Sequence, residues 1–224
     1  MLYAGSQNKK VADKQEECLA FSFSDEEKLF ATKAISLATL RAAKEDLPGT
    51  RKEIREISNI IDGHYYFGAQ AIEANFKQNA GQYNILHLAL HGEIDNERPE
   101  NSKLLFTKAK DTIEDNYLYG HELFAMNIPA ELTVLSACNT GTGKIAKGEG
   151  GMSLGNAFQY AGTKSLVLSR WEISDNTTPV LMKYFYTHLK AGMNKSRALQ
   201  QAKLQYLKTA DINRLDPFYW AGFY

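Results

Sequence analysis

The sequence has little cysteine and no excess of charge, and each shortage excludes a class of protein. Its two cysteines, Cys18 and Cys138, are too few for a disulfide framework or a four-cysteine zinc site. Lysine plus arginine total 26, as do aspartate plus glutamate, so the formal net charge is zero. Because non-specific binding to nucleic acid or to an anionic membrane depends on net positive charge, we expect neither partner.

Long apolar stretches are absent as well. The sequence has no run of about 18 apolar residues, the length that a transmembrane helix needs. Residues 1–17 are polar and rich in lysine, without the apolar core of a secretory signal. Together with the scarcity of cysteine, this predicts a cytoplasmic protein. We expect a flexible segment at 1–17 and one domain at 18–224, whose last strand is cut short where the chain ends.

Short apolar stretches alternate with helical patterns along the chain. Strands are predicted at residues 18–23, 65–67, 83–90, 132–137 and 165–171, with a hairpin around 104–106. Helices are predicted at residues 28–45, 69–78, 120–126, 152–160, 178–190 and 196–208. A further helix is expected to begin at a Thr50 cap and to end at Gly63, and residues 219–224 to begin a last strand. This alternation is typical of an α/β fold with a mostly parallel sheet.

Two reactive side chains come directly after predicted core strands. His91 follows the strand at 83–90 and Cys138 ends the strand at 132–137, so parallel strands would place both at one rim. An imidazole can take the proton of a thiol, whose free pKa is about 8.5, and later donate it to a leaving amine. The backbone N–H groups of Gly92 and Cys138 are candidate oxyanion donors. A strand-end cysteine is also explained as a small buried hydrophobic residue, and the residues alone leave both interpretations open.

Several segments, taken together and in order, resemble the CHAT family of caspase-like cysteine peptidases. Residues 85–92 (ILHLALHG) resemble its histidine motif and residues 134–141 (VLSACNTG) its cysteine motif. The similarity runs from about residue 47 to the end of the chain. It continues through residues 47–50 (LPGT), 148–154 (GEGGMSL), 157–162 (AFQYAG), Trp171 with Asp175, and 219–223 (YWAGF).

The resemblance implies a caspase-like three-layer sandwich, in which helices flank a mostly parallel sheet. It implies peptide-bond hydrolysis through an acyl-enzyme, with His91 as general acid/base and Cys138 as nucleophile. It also implies a protein substrate in prokaryotic defence or signalling, and an upstream sensor or repeat domain. A second function remains open, because a non-catalytic module with the same fold can serve as a scaffold that recruits partners.

Two further chemistries are weighed against the dyad. His87, His91 and Cys138 are a conceivable zinc site, because even spacing on a strand places both histidines on one face. Leu88 stands where a His-Glu-x-x-His zinc motif needs glutamate, so we interpret His87 as an interior histidine and expect no metal. The glycine-rich loop after Cys138 does not match a Walker phosphate loop, because Cys138 stands where the motif needs glycine and Ile145 where it needs serine or threonine. No cofactor is therefore expected.

Candidates for substrate binding follow the predicted strand at 165–171. Trp171 is either a pocket wall or a core residue, and Glu172 is placed to contact a basic side chain or the substrate backbone. Asp175 is either a substrate contact or the N-cap of the helix that begins near Thr177.

The sequence does not determine which residue precedes the cut. Ser136, two places before the cysteine, carries no charge with which to select a basic substrate residue. Residues 140–150 are rich in glycine and lysine, and they form either a mobile loop at the active site or a solvated connector.

Overall fold

A computed structural model describes residues 16–23, 48–95, 97–109, 114–136, 154–171 and 174–224. Four features of the sequence analysis lie outside the described residues: the helix predicted at 28–45, Cys138, the loop at 140–150 and Glu172. Most of the predicted N-terminal segment lies outside them too, since the description starts at residue 16.

Strands and helices alternate through the described residues. The strands are β1 (Glu16–Ser22), β2 (Gly63–Phe67), β3 (Tyr83–Ala89), β4 (His91–Glu93), β5 (Lys103–Leu105), β6 (Tyr117–Tyr119), β7 (Leu132–Leu135) and β8 (Leu166–Leu168). The α-helices are α1 (Pro48–Ser58), α2 (Glu73–Asn79), α3 (Gly120–Leu123), α4 (Leu154–Tyr160), α5 (Thr178–Lys190) and α6 (Lys195–Thr209). Short 3-10 turns occupy Gly68–Gln70, Ala80–Gln82, Pro99–Asn101, Ile212–Arg214 and Pro217–Tyr219.

Five of the strands form one sheet in the order β2-β1-β3-β7-β8. Each pairing between neighbours in this sheet is parallel. Parallel sheets are buried on both faces, so their central strands are nearly continuous apolar runs. β7 is an example, because all four of its residues are buried. The α/β fold with a mostly parallel sheet, predicted from the alternation, is confirmed.

The sheet separates two apolar cores, one on each face. Leu19 and Phe21 of β1 belong to the core that includes residues of α2, α3 and α4. Cys18 and Ala20, which alternate with these two residues along β1, belong to the core that includes residues of α1, α5 and α6. Successive side chains of a strand point to opposite faces, so one short apolar stretch supplies both cores. The result is a layer of helices on each side of the sheet.

A second, three-stranded sheet in the order β4-β5-β6 is antiparallel and is joined to β3 through a single residue, Leu90. The hairpin expected around 104–106 corresponds to β5, which pairs with β4 on one side and β6 on the other. Because β4 opens with His91, this histidine lies where the chain passes from one sheet to the other.

The bounds of α1 differ from the prediction at both ends. The helix begins at Pro48, whose fixed φ suits the first helical turn, so the prediction that Thr50 caps it is wrong. The Thr50 hydroxyl instead shares a hydrogen bond of 3.1 Å with the hydroxyl of Ser22, at the end of β1. The helix ends at Ser58, and Gly63 opens β2, where a Cβ would lie 2.0 Å from the carbonyl oxygen of Cys18. Gly63 is therefore needed for strand pairing and does not end the helix.

The C-terminal segment also differs from the strand predicted at 219–224. A 3-10 turn at Pro217–Tyr219 occupies its start. Only an isolated antiparallel bridge follows, between Ser169 and Phe223, with backbone hydrogen bonds that join Leu168 to Tyr224. The segment thus lines the outer edge of β8 without becoming a regular strand within the described residues.

Candidate active site

The carboxyl ends of β3 and β7 meet at one rim of the sheet, because the two strands are adjacent and parallel. The register pairs Leu88 of β3 with Leu135 of β7. His91 follows Leu88 by three residues and is described, whereas the residues after Ser136 lie outside the described part of the chain. The structure therefore describes the position of His91 at this rim, whereas the position of Cys138 remains a prediction.

His91 is partly exposed and is held from two directions. Its backbone lies in β4, where it pairs with Leu105 of β5. Its ring lies against the ring of Phe23, with the centroids 4.6 Å apart and the planes 80° apart. Phe23 follows directly on β1, and its N–H donates to the carbonyl of Ala89 over 3.2 Å. These contacts fix the place of the imidazole at the rim.

Gly92, a predicted oxyanion donor, lies in β4 opposite Leu104 and is partly exposed. Ser136, the last described residue before the cysteine motif, is buried. Its hydroxyl has no hydrogen-bond partner within the described part of the chain. An uncharged, buried residue at this position provides no anchor for a basic substrate side chain.

His87 is fully buried and both of its ring nitrogens have partners. Nε2 lies 2.9 Å from a carboxylate oxygen of Glu53 on α1, and Nδ1 lies 2.9 Å from the hydroxyl of Tyr186 on α5. Burial raises the pKa of Tyr186 well above its usual value, so the phenol keeps its proton and can donate it to Nδ1. The hydrogen bond between Nε2 and Glu53 then gives the second ring nitrogen its partner. The interpretation of His87 as an interior histidine is confirmed, and neither nitrogen is open to a metal.

Cys18 has the properties of an unreactive cysteine. It is fully buried in β1, and burial raises the pKa of its thiol to about 12. At neutral pH such a thiol remains protonated and is shielded from reagents. Cys18 is therefore a packing residue, as its apolar sequence context indicates.

The structure gives Asp175 a partner that the sequence does not predict, and its role as a substrate contact remains a prediction. Helix α5 begins at Thr178 with Thr177 at the N-cap position, so the prediction that Asp175 caps this helix is wrong. One carboxylate oxygen of Asp175 instead accepts a hydrogen bond of 2.7 Å from the backbone N–H of Gly49, in the first turn of α1. Trp171 is partly exposed, so it is not a core residue, and its Nε1–H donates to the carbonyl of Phe218 over 3.1 Å.

Residues 4–224 match the CHAT domain family. The chain belongs to this family. The match covers nearly the whole chain and starts well before residue 47, where the similarity of motifs begins. It agrees with the observed sheet and helix layers, which are those of a caspase-like fold, and it relates the protein to caspase-like cysteine peptidases. A comparison with curated proteins finds no match.

The one cluster of described carboxylates in this CHAT domain with the spacing of a metal site is already occupied by a lysine. Glu73, Glu114 and Glu122 each bring an oxygen within 4.8 Å of the others. The ammonium nitrogen of Lys77 lies 2.7 Å from each of the three carboxylates. A cation is therefore present at the centre, and we interpret the cluster as structural. Separately, every helix among the described residues is too short or too polar to cross a membrane.

Sequence reasoning missed two contacts of the CHAT domain, that of Phe23 with His91 and that of Gly49 with Asp175. Phe23 closes a predicted strand, but its distance of 68 residues from His91 in sequence gives no local signal of their contact. Gly49 and Asp175 both belong to segments that carry the family resemblance. The resemblance marked these residues as landmarks, and only the folded chain reveals that they touch.

Proposed function

We propose that this CHAT domain is a cysteine endopeptidase that uses Cys138 as nucleophile and His91 as general acid/base. The parallel register of β3 and β7 carries the proposal. Leu88 pairs with Leu135, and His91 and Cys138 each follow their paired strand residue by three positions. Both residues therefore follow the carboxyl ends of adjacent parallel strands, so their side chains can meet at one rim. Family membership and the partial exposure of His91 support the same conclusion.

Acylation begins when the imidazole of His91 takes the proton from the thiol of Cys138. The thiolate attacks the carbonyl carbon of the scissile peptide bond and forms a tetrahedral intermediate. In this proposal the backbone N–H groups of Gly92 and Cys138 donate hydrogen bonds to its oxyanion. The protonated His91 then gives its proton to the leaving amine as the C–N bond breaks, which leaves a thioester.

Deacylation uses the same two residues, with water as the nucleophile. His91 takes a proton from a water molecule, and the resulting hydroxide attacks the thioester carbonyl. The second tetrahedral intermediate collapses to the carboxylic acid, which loses its proton to solvent, and the thiolate, which recovers its proton from His91. The cycle consumes one water molecule per peptide bond and needs no metal ion or cofactor.

The substrate in this proposal is an extended segment of another protein. A cleft at the sheet rim suits such a segment, with Trp171 and Glu172 as candidates for its wall. Since the chain has no net charge, selection depends on the local cleft and gains nothing from overall electrostatic steering. A cytoplasmic setting in prokaryotic defence or signalling, and control by an upstream sensor or repeat domain, belong to the same proposal and rest on the resemblance.

Substitution of each member of the dyad tests the proposal. The wild type, Cys138→Ala and His91→Ala are incubated with a peptide library prepared from a bacterial proteome, and new N-termini are identified by mass spectrometry. Cleavage should disappear in Cys138→Ala, because no other group supplies the nucleophile. In His91→Ala the rate should fall by about 10²–10⁴-fold, the usual contribution of a general base.

Cys18→Ala is the matched control, since it removes the other cysteine from the core without touching the rim. It should cut the same peptide bonds as the wild type. Cleavage that persists in Cys138→Ala would rule out the assigned nucleophile. Binding of a partner by both wild type and Cys138→Ala, with cleavage by neither, would favour the scaffold function.

A further inference from the structure

The contact between Asp175 and Gly49 is too close for any residue but glycine at position 49. A Cβ there would lie 2.0 Å from the carbonyl oxygen of Asp175 and 2.3 Å from a carboxylate oxygen. The other carboxylate oxygen accepts the hydrogen bond of 2.7 Å from the Gly49 N–H. The backbone and the side chain of Asp175 therefore both contact the first turn of α1, although the two residues are 126 positions apart in the sequence.

The carboxylate suits this position electrostatically. The first N–H groups of a helix have no partner within the helix, and the helix dipole places partial positive charge at its N-terminus. Asp175 supplies a negatively charged acceptor to one of these N–H groups from another part of the chain. Such charge-assisted hydrogen bonds are about twice as strong as neutral ones. We call this contact, made by Asp175 and Gly49, the rim clamp.

On the β8 side, the segment that carries Asp175 is tied to the C-terminal segment. The Nε1–H of Trp171 donates to the carbonyl of Phe218 over 3.1 Å, and the hydroxyl of Thr177 donates to the carbonyl of Tyr219 over 3.1 Å. Asp175 lies between these two anchors in sequence. The rim clamp joins this segment to α1.

On the β1 side, the first turn of α1 is linked to the surroundings of His91. Thr50 follows Gly49 and shares a hydrogen bond of 3.1 Å with Ser22, both of them buried. Phe23 follows Ser22, and its ring lies against the ring of His91. The first turn of α1 is therefore held at β1, beside His91, by contacts that do not involve Asp175.

We propose that Asp175 is a positioning residue, which holds the segment after β8 against the first turn of α1 and so keeps that segment in place for substrate binding. The proposal rests on the proposed peptidase function and assigns Asp175 a role other than substrate contact. Its carboxylate faces the N–H of Gly49, so it does not serve as the anchor for a basic substrate side chain. Loss of the rim clamp releases this segment from α1 and weakens substrate binding without altering the thiol.

The experiment compares Asp175→Asn, Asp175→Ala and Gly49→Ala with the wild type, using a peptide that the wild type cuts. Each variant should raise KM by about tenfold or more, in line with the loss of a charge-assisted hydrogen bond. The rate at which iodoacetamide alkylates Cys138 should stay within about twofold of the wild type, because the dyad itself is intact. A merely destabilised protein would change both quantities together with its melting temperature.

Asp211→Asn is the matched control. Asp211 also accepts a hydrogen bond from a backbone N–H, that of Asn213, but in an exposed 3-10 turn within a single segment. The same substitution there should leave KM unchanged. Unaltered KM in all three clamp variants would overturn the proposal.

Substrate preference distinguishes positioning from direct contact. A series of peptides with lysine, alanine or glutamate before the cut should lose affinity uniformly in Asp175→Asn. A loss confined to the lysine peptide, with no effect of Gly49→Ala, would show that Asp175 contacts the substrate and would overturn the proposal.

Hydrogen exchange at the Gly49 amide reports on the rim clamp without any enzymatic activity. Exchange should be at least about tenfold faster in Asp175→Ala than in the wild type, because the amide loses its acceptor. Equal exchange rates would overturn the clamp even if no substrate is found. Cleavage that survives in Cys138→Ala would instead refute the peptidase function, so the two failures are distinguishable.

Discussion

His87 and His91 stand four residues apart, yet their surroundings give them opposite properties. His87 is fully buried, and hydrogen bonds to Glu53 and Tyr186 occupy both of its ring nitrogens. His91 is partly exposed and rests against the ring of Phe23 at the rim of the sheet. A ring that must exchange protons with a substrate needs access to it, so of these two histidines His91 is the one that fits the proposed acid/base role.

The two cysteines should differ as sharply in reactivity. Cys18 is fully buried with a pKa raised to about 12 by burial, so alkylation of the folded protein at neutral pH should spare it. We expect iodoacetamide to add a single group, at Cys138, and to reach Cys18 only after denaturation. Peptide mass spectrometry of the native and denatured protein measures this. A native adduct on Cys18 would contradict the described packing of β1.

At the scale of single elements, the ammonium of Lys77 joins α2, α3 and the segment before β6. Its nitrogen lies 2.7 Å from the carboxylates of Glu73, Glu114 and Glu122. Burial lowers the pKa of Lys77, but the hydrogen bonds that its ammonium donates to these carboxylates outweigh burial and raise the pKa overall. A lysine with a raised pKa contributes stability below its unfolded pKa, so this contribution is complete at neutral pH.

Replacement of Lys77 by methionine should lower the free energy of unfolding by about 2–4 kcal/mol at neutral pH, because it leaves a buried carboxylate unpaired. Glu73 is 1% exposed, and burial already raises its pKa above 4.5. Without Lys77 this pKa rises further, so the destabilisation should shrink as the pH falls from 7 toward 4.5 and the carboxyl takes up a proton. Urea denaturation at several pH values measures the effect.

Lys190→Met provides the comparison for that experiment. Lys190 pairs with Glu17 over 3.4 Å, and both side chains are more than 40% exposed. An exposed pair of this kind contributes about 0–1 kcal/mol, so this variant should unfold almost like the wild type at every pH. A loss in Lys77→Met that is equally small, or independent of pH, would contradict the structural role of the cluster.

Also at this scale, the sequence predicted which elements exist better than where they begin. The apolar spacing of Ile54 and Ile57 predicts the buried face of α1, and both residues are fully buried. The start of α1 was misplaced because Thr50 has the residue type of a cap. Its partner is the hydroxyl of Ser22, a contact between elements that local propensity does not encode.

At the scale of the whole molecule, Glu53, His87 and Tyr186 connect the sheet to the helix layer on one face. Each lies on a different element, α1, β3 and α5 in turn, and each is at most 2% exposed. Two hydrogen bonds of 2.9 Å join the three side chains. This network fixes two helices against the strand that leads to His91.

Replacing one member of this network should destabilise the protein more than replacing two members together. His87→Leu should lower the free energy of unfolding by about 3–5 kcal/mol, because it leaves the Glu53 carboxylate buried without its partner. The double variant His87→Leu, Glu53→Leu should recover part of this loss, since it replaces both polar groups by apolar ones. Urea denaturation of the two variants and of Glu53→Leu decides. If the free-energy losses of the two single variants add up to that of the double variant, the pairing of Glu53 with His87 is contradicted.

The sequence by itself determined the alternation of strands and helices, and with it the α/β class and the position of His91 after a core strand. These features are local, because the period of apolar residues and the length of each run depend on neighbours along the chain. The motifs around His91 and Cys138 also identified the family from the sequence, and the match over residues 4–224 agrees.

Only the tertiary structure decided the order of strands in the sheet, the burial of the network around His87, and the contacts of Phe23 with His91 and of Asp175 with Gly49. Each of these joins residues far apart in the chain, up to 126 positions for the last pair. The side-chain chemistry of Asp175 fits a cap, a substrate anchor or a clamp equally well. The packing of α1 against the segment after β8 creates the contact with Gly49, because it brings an N–H without a partner in its own helix to a charged acceptor.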